Sequence, residues 1–565
     1  MTTVAAVRHP VASSWTSDPG MLWRQTRHEL VSLRRTPITL ILSIGLPLLF
    51  FVLLSALFGN QQVEEGGVRL VQFLAPGMAS FGVVMATFSF LAVGLAEARA
   101  TGVVKRQSGA PVPRWVLIAG RVCAALVLGL VSTALVLGAG LAFYDLLVPS
   151  RSVLAIVVTL VIASACFSAL GLALAMALPS MQLTVAVSNG IVIPLAFISD
   201  MFMMSGRMPD WLATIGWLFP LKHLTAIFAN ALNPHLSGSG FELDHLAVIA
   251  LWGLAGAAVA TVQLSRDRDR DSSRAAPQRT SRARARRRLA DASPCRTSAP
   301  SIAALVSGQV GHAQSVLWRN ASAVFFAVAF PVLLVAIIPA VNGGGDQLMK
   351  DGQSLGVFYA GTMAIYGAAV TAYVNMPQGV AEARDRGVLK RTGGTPLPAG
   401  ALLVGRVVGA VGVALLTGVV IVGVAALAFH PAWPPGLLAA AVVLVVSAIC
   451  FAVVGLAVMT FVHSAQALTG VTLGTLLPLA FISDVFIVGA TFPPVLDAVS
   501  WFFPLRPASA AMSTALAPQL SGSGLALGHL AVLLAWTLAA GAVLRWRFSW
   551  ESMESRSRQP ARRSA

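Results

Sequence analysis

Two stretches of the chain repeat one pattern of charged residues, glycine and proline, and this pattern suits docking better than bond chemistry. The first stretch contains Glu97, Arg99, Gly102, Lys105 and Arg106, followed by Pro111 and Pro113. The second stretch contains Glu382, Arg384, Gly387, Lys390 and Arg391, followed by Pro396 and Pro398. Proline ends a helix because it lacks the backbone N–H and clashes with the preceding turn. We therefore predict a short, rigid, charged helix for docking at each place; an ordinary basic loop that anchors two spans is the alternative.

A second pair of segments combines proline, aspartate and tryptophan at the ends of long apolar runs. The first copy has Pro194, Asp200, Trp211 and Pro220, and the second has Pro478, Asp484, Trp501 and Pro504. Neither segment has room for another pair of membrane crossings, so its broken backbone predicts short interfacial or re-entrant helices. The tryptophans suit a membrane interface. The aspartates could bind a cation or a proton, but helix capping or pairing with Lys222 and Arg506 is the simpler interpretation.

The sequence contains no motif for enzymatic catalysis or metal binding. There is no G-x-x-x-x-G-K-[ST] phosphate loop, no H-E-x-x-H and no G-x-S-x-G, and the histidines are dispersed. The four cysteines have neither the number nor the spacing of a disulfide framework or a zinc site. We expect a protein that is not an enzyme and that binds no cofactor or metal itself.

The elements that must position these segments are membrane spans. Hydrophobic residues make up 56% of the chain and charged residues only 11%, whereas soluble domains carry about 25% charged residues. A helix of about 20 mostly apolar residues crosses a bilayer. The sequence predicts spans near 38–58, 70–95, 116–143, 153–178, 182–204, 244–264, 322–341, 355–376, 401–429, 436–461, 465–488 and 526–545. The predicted fold class is all-α, a polytopic membrane protein with 12 transmembrane helices.

The two halves of the chain are copies of each other. The sequence IPLAFISDMF that starts at Ile193 recurs as LPLAFISDVF from Leu477, an offset of 284, and the charged pattern recurs at an offset of 285. Six spans return each half to the side where it began, so the two repeats have parallel topology. The predicted short re-entrant or interfacial helices precede spans 6 and 12.

The positions of the basic residues predict the orientation of the chain. The formal net charge is +17, and the arginines cluster in the termini, the centre and the loops after spans 2 and 8. This is the positive-inside pattern, which argues against nucleic-acid binding and places both termini in the cytoplasm of a multi-pass plasma-membrane protein. We divide the chain into a cytoplasmic arm with an interfacial helix, a six-span domain, an Arg-rich disordered linker, a second six-span domain and a basic tail, at residues 1–37, 38–264, 265–300, 301–546 and 547–565.

Together these segments resemble the type-2 ABC exporter permease family, which includes daunorubicin- and antibiotic-efflux permeases. In that family a coupling helix between spans 2 and 3 begins Glu-x-x-x-x-Gly and ends near a proline, and a Pro-x-Trp-Leu motif followed by aromatic-x-Pro-Leu precedes span 6. The first half matches at Glu97, Gly102, Pro111, Pro209, Trp211, Leu212, Pro220 and Leu221. The second half matches at Glu382, Gly387, Pro396, Pro494, Leu496, Pro504 and Leu505.

The resemblance implies a membrane subunit whose ATP and Mg²⁺ are held by a separate ABC ATP-binding subunit, present in two copies. It also implies that the charged patterns dock on that subunit, and that the substrate is a hydrophobic, drug-like or lipid-like small molecule. The chain departs from the family in two ways. Two permease domains are fused, and Val103-Val-Lys-Arg106 and Val388-Leu-Lys-Arg391 replace the usual Thr-Leu-Glu after the glycine.

A six-plus-six secondary transporter driven by an ion gradient is the alternative function. It shares parallel halves, a central linker and a charged loop after span 2, and Asp385-Arg386-Gly387 is similar to its loop motif. Ala100-Thr101 replaces that motif in the first half, and the spans lack ionisable residues for ion coupling. A membrane-embedded enzyme or a scaffold would need a polar cluster at membrane depth.

Overall fold

The computed structural model describes most of the chain, and helices dominate it. The described residues are 19–34, 40–58, 69–107, 109, 112–201, 209–236, 238–273, 301–341, 344–349, 352–429, 435–486, 492–517 and 524–548. Pro111, the predicted ends of spans 5 and 11, most of the linker and the outer parts of both termini lie outside these residues. Within them no β-strand occurs, and one isolated bridge joins Leu348 and Ser354.

The first half contains a leading helix, its apolar spans and several short connecting helices. The helices are α1 Pro19–Arg34, α2 Leu46–Phe58, α3 Leu70–Val84, α4 Leu91–Ala100, α5 Val103–Gln107, α6 Arg114–Phe143, α7 Val153–Ala177, α8 Met181–Ile198, α9 Asp210–Leu218, α10 Pro220–Leu232 and α11 Leu243–Ser273. Helix α1 lies within the N-terminal arm. Helix α11 continues past the predicted span end at residue 264, so the first residues of the predicted disordered linker are helical.

The second half repeats the same order of elements. The helices are α12 Ile302–Trp318, α13 Ala321–Val324, α14 Phe330–Val341, α15 Leu355–Ala369, α16 Met376–Asp385, α17 Val388–Gly393, α18 Ala399–Phe429, α19 Leu437–Met459, α20 Ala465–Ile482, α21 Pro494–Phe502, α22 Leu505–Ala515 and α23 Leu527–Arg547. Helix α12 has the place of α1, and sequence reasoning did not single it out. Ser301 caps it by accepting a hydrogen bond from the Ala304 amide.

The described residues contain 11 helices long and apolar enough to cross a membrane. These helices correspond to predicted spans 2 to 12, and the first predicted span contains a shorter apolar helix, Ser43–Ala56. Counting the bent pair α9–α10 as one span would raise the number to 12. Long apolar runs are helical because a helix satisfies every backbone N–H and C=O within the segment. The prediction of an all-α polytopic protein with two repeats is confirmed.

π-Helical turns occur at matching places in the first two spans of each half. Span 1 contains one at Ile41–Gly45 and span 7 one at Phe325–Ala329; span 2 contains one at Met85–Phe90 and span 8 one at Val370–Asn375. A π-turn inserts one residue into the helix and leaves a carbonyl displaced from the regular ladder. The repeat therefore preserves an irregularity of the backbone that its hydropathy pattern does not reveal.

A glycine of the fourth span in each half lies against the π-turn of the second span. A Cβ atom added to Gly171 would lie 2.7 Å from the Phe88 carbonyl oxygen, and one added to Gly455 would lie 2.7 Å from the Tyr373 carbonyl oxygen. Neither site has room for a methyl group, so glycine permits the close approach of the two helices.

By its internal contacts the chain divides into two units. Unit 1 comprises residues 1–48, 75–184 and 223–260, and unit 2 comprises residues 49–74, 185–222 and 261–565. Unit 2 thus includes parts of spans 1 and 5 along with the whole second half. Within it the Phe50 and Phe481 rings lie 4.6 Å apart, and Phe325 packs on Gly190. Residues of the first repeat therefore complete the core around the second repeat.

Candidate functional site

The two charged patterns form short helical arms after spans 2 and 8. Arm 1 consists of the end of α4 and all of α5, residues 97–107; arm 2 consists of the end of α16 and all of α17, residues 382–393. Gly102 and Gly387 turn the chain between the two helices of each arm with φ angles of 72° and 68°. A side chain is strained in this left-handed conformation, which explains why glycine occupies both positions.

One arginine in each arm points inward. Arg99 Nη1 donates a hydrogen bond of 2.7 Å to the carbonyl of Ala175 near the end of α7. Arg384 donates to the carbonyls of Met459 and Val462 at 3.2 and 2.8 Å, at the end of α19. The last carbonyls of a helix lack partners within the helix and carry partial negative charge, so a cation there is favourable. Arg99 and Arg384 therefore hold the arms against spans 4 and 10.

The remaining basic residues of the arms face outward. Lys105, Arg106, Lys390 and Arg391 are exposed. Glu382 is half-buried, and its carboxylate accepts hydrogen bonds from Gln378 at 3.3 Å and Arg386 at 3.1 Å; Glu97 is also partly buried. Each arm thus presents a Lys-Arg pair to solvent from a helix fixed by an inward-pointing arginine, an arrangement suited to binding a protein surface that carries acidic groups.

Asp385 has a role in the second half that the sequence analysis did not assign. Its Oδ2 atom accepts a hydrogen bond of 2.8 Å from the Ala465 amide at the first turn of α20. A carboxylate at this position satisfies a free amide and interacts favourably with the helix dipole. The acid of the Asp385-Arg386-Gly387 sequence is thus bound to the start of span 11, where it ties the arm to that helix.

Both re-entrant segments, residues 194–232 and 478–515, contain an aspartate with unusual backbone geometry. Pro194 and Pro478 lie inside α8 and α20. Asp200 and Asp484 follow these helices, and each has a φ of 56°. This left-handed conformation is tolerated by Asp better than by most residues, and it ends the apolar span in the same way in both halves.

The aspartates pair with the predicted cations. Lys222 Nζ donates to Asp200 Oδ2 and also to the Ile198 carbonyl at 3.4 Å. Arg506 Nε lies 3.5 Å from Asp484 Oδ2, and its Nη1 donates to Asp497 Oδ1 and Ser500 Oγ, both at 2.5 Å. Burial raises the pKa of Asp484, while the Arg506 charge opposes that rise. The structure thus contains the pairs that the simpler interpretation predicted.

Short helices follow the aspartates, as the sequence predicted. Helices α9 and α10 meet at an angle of 97°, with Pro220 as the first residue of α10, and Trp211 is 63% exposed. In the second half Pro504 immediately precedes α22.

Trp501 of the second re-entrant segment contacts a histidine and an arginine. Its ring stacks on His529 with centroids 5.3 Å apart and lies 4.7 Å from the Arg506 guanidinium carbon. A cation held over an aromatic face in this way is stabilised by the ring quadrupole. The sharp bend of the first segment and this packing in the second suit re-entrant helices whose polar ends are held by ion pairs.

A pair of histidines, one of them within the first re-entrant segment, was missed by sequence reasoning, which found the histidines dispersed. His223 Nδ1 and His245 Nδ1 lie 2.8 Å apart, so one nitrogen donates the proton and the other accepts it. His245 Nε2 lies 3.3 Å from Glu242 Oε2. In the sequence each histidine follows a charged residue, Lys222 or Asp244, and this is the only local sign of the histidine pair. Among the described residues no group of three or more His, Cys, Asp or Glu side chains could hold a metal ion.

Comparison with known families identifies the class of protein. The ABC-2 type transporter family matches residues 21–232 and 312–516, one match in each half. The chain therefore belongs to this family, and it is the membrane permease subunit of an ABC-type transporter with two fused permease domains. The comparison with curated proteins gave no match.

Proposed function

We propose that this chain exports a hydrophobic or amphiphilic compound across the plasma membrane, driven by a separate ABC ATP-binding subunit that docks on both charged arms. The observation that carries the proposal is the repeated arm geometry. Each arm combines a left-handed glycine, an inward arginine bound to a span end and an outward Lys-Arg pair. A projection fixed in this way would pass a movement of the ATPase to spans 2, 4, 8 and 10.

The arms would contact the partner and transmit its movement to the spans, and the partner would bind ATP and Mg²⁺ and hydrolyse the ATP. Both termini and both arms would lie on the cytoplasmic side, where two ATP-binding subunits, one for each arm, would close on ATP binding. Glu97 and Glu382 would position the start of each arm. The re-entrant segments, with Pro194, Asp200, Trp211, Pro220, Pro478, Asp484, Trp501 and Pro504, would form the far end of the path. The near-absence of charged residues in the spans favours a substrate that enters from lipid.

The test is co-purification of the tagged full-length chain in detergent, with mass spectrometry for an ABC ATP-binding protein and an assay of ATP hydrolysis. We expect wild type to retain the ATP-binding protein and the double variant Arg106→Glu/Arg391→Glu to lose most of it, because both outward arginines are reversed. The matched control is Arg319→Glu/Arg545→Glu, which reverses two exposed arginines away from the arms and should keep the partner.

Loss of the partner in both double variants would show general electrostatic attraction and contradict docking on the arms. Retention in both would contradict it as well. If no ATPase binds the wild type and transport stops when the proton gradient is collapsed, the gradient-driven alternative replaces the proposal.

A further inference from the structure

A carboxylate joins the leading helix to span 3 in the first half. Glu29 on α1 accepts a hydrogen bond of 2.9 Å from Gln25 Nε2, and the same oxygen, Oε1, lies 3.3 Å from Arg121 Nε on α6. Gly120 lets the backbone of α6 approach Gln25 closely. Both charged side chains are mostly buried, with exposures of 13% for Arg121 and 19% for Glu29. The arginine and the amide thus share one anionic acceptor.

The second half retains the donors but not the acceptor. Gln309, Gly405 and Arg406 occupy the places of Gln25, Gly120 and Arg121, and Gln309 packs on Gly405 in the same manner. Ala313 occupies the place of Glu29, and its side chain ends at Cβ, 3.3 Å from a Cβ placed on Gly409. Where the first half has a carboxylate, the second half therefore has a methyl group.

Arg406 consequently lacks an acceptor among the described residues. Its Nε atom is buried and makes no hydrogen bond there. An arginine stays charged under all conditions in proteins, and burying part of that charge without a partner is unfavourable. Partial burial and the positive charge of Arg406 lower the pKa of His312 on α12. The junction of α12 and α18 thus contains the positive charge of Arg406 but no carboxylate in the place that Glu29 has in the first half.

We propose that the junction of α12 and α18 binds the phosphate of an anionic phospholipid through Arg406 and Gln309. The planar guanidinium suits phosphate oxygens, which it can bind with two parallel hydrogen bonds. The phosphate takes the place that the Glu29 carboxylate has in the first half. Neither the ATPase partner nor the transported substrate takes part in this binding.

The position of Arg406 along its span favours a lipid as the source of the phosphate. Helix α18 has 31 residues and is therefore about 46 Å long, longer than the hydrocarbon core of about 30 Å. Arg406 lies about 10 Å from its start, close to the boundary between the headgroups and the hydrocarbon core, where its long side chain can reach a lipid phosphate. Val404, Val408 and Trp318 are exposed on the same two helices, at 51%, 47% and 47%, and offer apolar surface to acyl chains.

The experiment exchanges the acceptor between the two halves of the full-length chain. Ala313→Glu supplies the missing carboxylate, and Glu29→Ala removes the existing one. Ser315→Glu is the matched control, because it adds the same charge at an exposed position of α12. Each variant is delipidated in detergent, incubated with phosphatidylglycerol or with inorganic phosphate, and examined by native mass spectrometry and thermal unfolding.

We expect wild type and Ser315→Glu to retain one phosphatidylglycerol that Ala313→Glu loses, and Glu29→Ala to gain a further one. The midpoint of thermal unfolding should rise with lipid in wild type and rise without lipid in Ala313→Glu. Equal lipid binding by wild type and Ala313→Glu would overturn the proposal, and so would equal loss in Ala313→Glu and Ser315→Glu. Stabilisation of wild type by inorganic phosphate alone, absent in Ala313→Glu, would keep the anion site and overturn its assignment to lipid.

Discussion

The two repeats share their backbone geometry but differ in the polar groups attached to it. Asp200 and Asp484 have the same φ of 56°, and the π-turns recur in spans 1 and 2 and in spans 7 and 8. The cations that meet these aspartates differ: Lys222 contacts Asp200, whereas Arg506 contacts Asp484, Asp497 and Ser500. The backbone geometry of a repeat, which we call its frame, can therefore stay the same while the polar contacts of its side chains differ.

Position in the fold explains which features the repeats share. Glycine occurs at both positions, Gly171 and Gly455, because the backbone of the fourth span in each half approaches a carbonyl oxygen too closely for a side chain. A polar side chain at a helix end can instead change its partner, provided that the charge finds another acceptor. We expect variants of the frame to affect both halves alike and variants of the polar groups to affect them differently.

The largest effect is expected for Arg384→Met in arm 2. This change leaves the carbonyls of Met459 and Val462 without the charged donor that they now have. Hydrogen bonds to charged groups contribute about 1.5–3 kcal/mol each, so we expect a loss of about 2–4 kcal/mol, after allowance for contact with solvent at the span end. Thermal unfolding in detergent measures it.

Arg386→Met is the control for that prediction on the same arm. Arg386 pairs with Glu382 four residues earlier, but its side chain is 73% exposed, and exposed pairs contribute about 0.2–1 kcal/mol. Equal shifts in the two variants would show that the inward arginine does not anchor the arm. Arg99→Met should reproduce the Arg384 effect in the first half if the two arms have the same frame.

An intermediate effect is expected where span 4 approaches the π-turn of span 2. Gly171→Ala and Gly455→Ala each place a methyl group 2.7 Å from a carbonyl oxygen. Overpacking of this kind typically costs about 1–3 kcal/mol. Both variants should therefore unfold at lower temperature and by similar amounts, as measured by thermal unfolding of the purified chain.

Gly138 and Gly474 provide controls within the spans of the same two repeats. A Cβ atom at either position meets nothing within 4 Å, so alanine there should be neutral or stabilise by roughly 0.5–1 kcal/mol through its higher helix propensity. A loss of stability in only one of the variants Gly171→Ala and Gly455→Ala would mean that close packing against the π-turn stabilises only one repeat.

Hydropathy and repetition sufficed to predict the fold class, because a bilayer leaves a long apolar run no alternative to a helix. The arms, the ion pairs of Asp200 and Asp484 and the short helices before spans 6 and 12 were also predictable, since proline, glycine and charge mark them locally. The inward direction of Arg99 and Arg384 was not, because Ala175 and Met459 lie about 75 residues away and nothing local indicates the contact. The π-turns and the His223–His245 pair likewise depend on tertiary packing.

The smallest effect concerns the pH dependence contributed by Asp484. Burial raises the pKa of this carboxyl above its ordinary value, so the folded protein binds its proton more tightly than the unfolded chain does. Stability from this group is therefore present at pH below the unfolded pKa, about 4, and is lost as the pH rises through the higher folded pKa.

Asp484→Asn should flatten the fall in unfolding temperature above pH 4, while Arg506 keeps Asp497 as its acceptor. The exposed Asp346 is the control, and Asp346→Asn should leave the profile unchanged. An unchanged profile in Asp484→Asn would show that the Arg506 charge offsets the burial of Asp484, which would make the second re-entrant segment as insensitive to pH as an exposed ion pair.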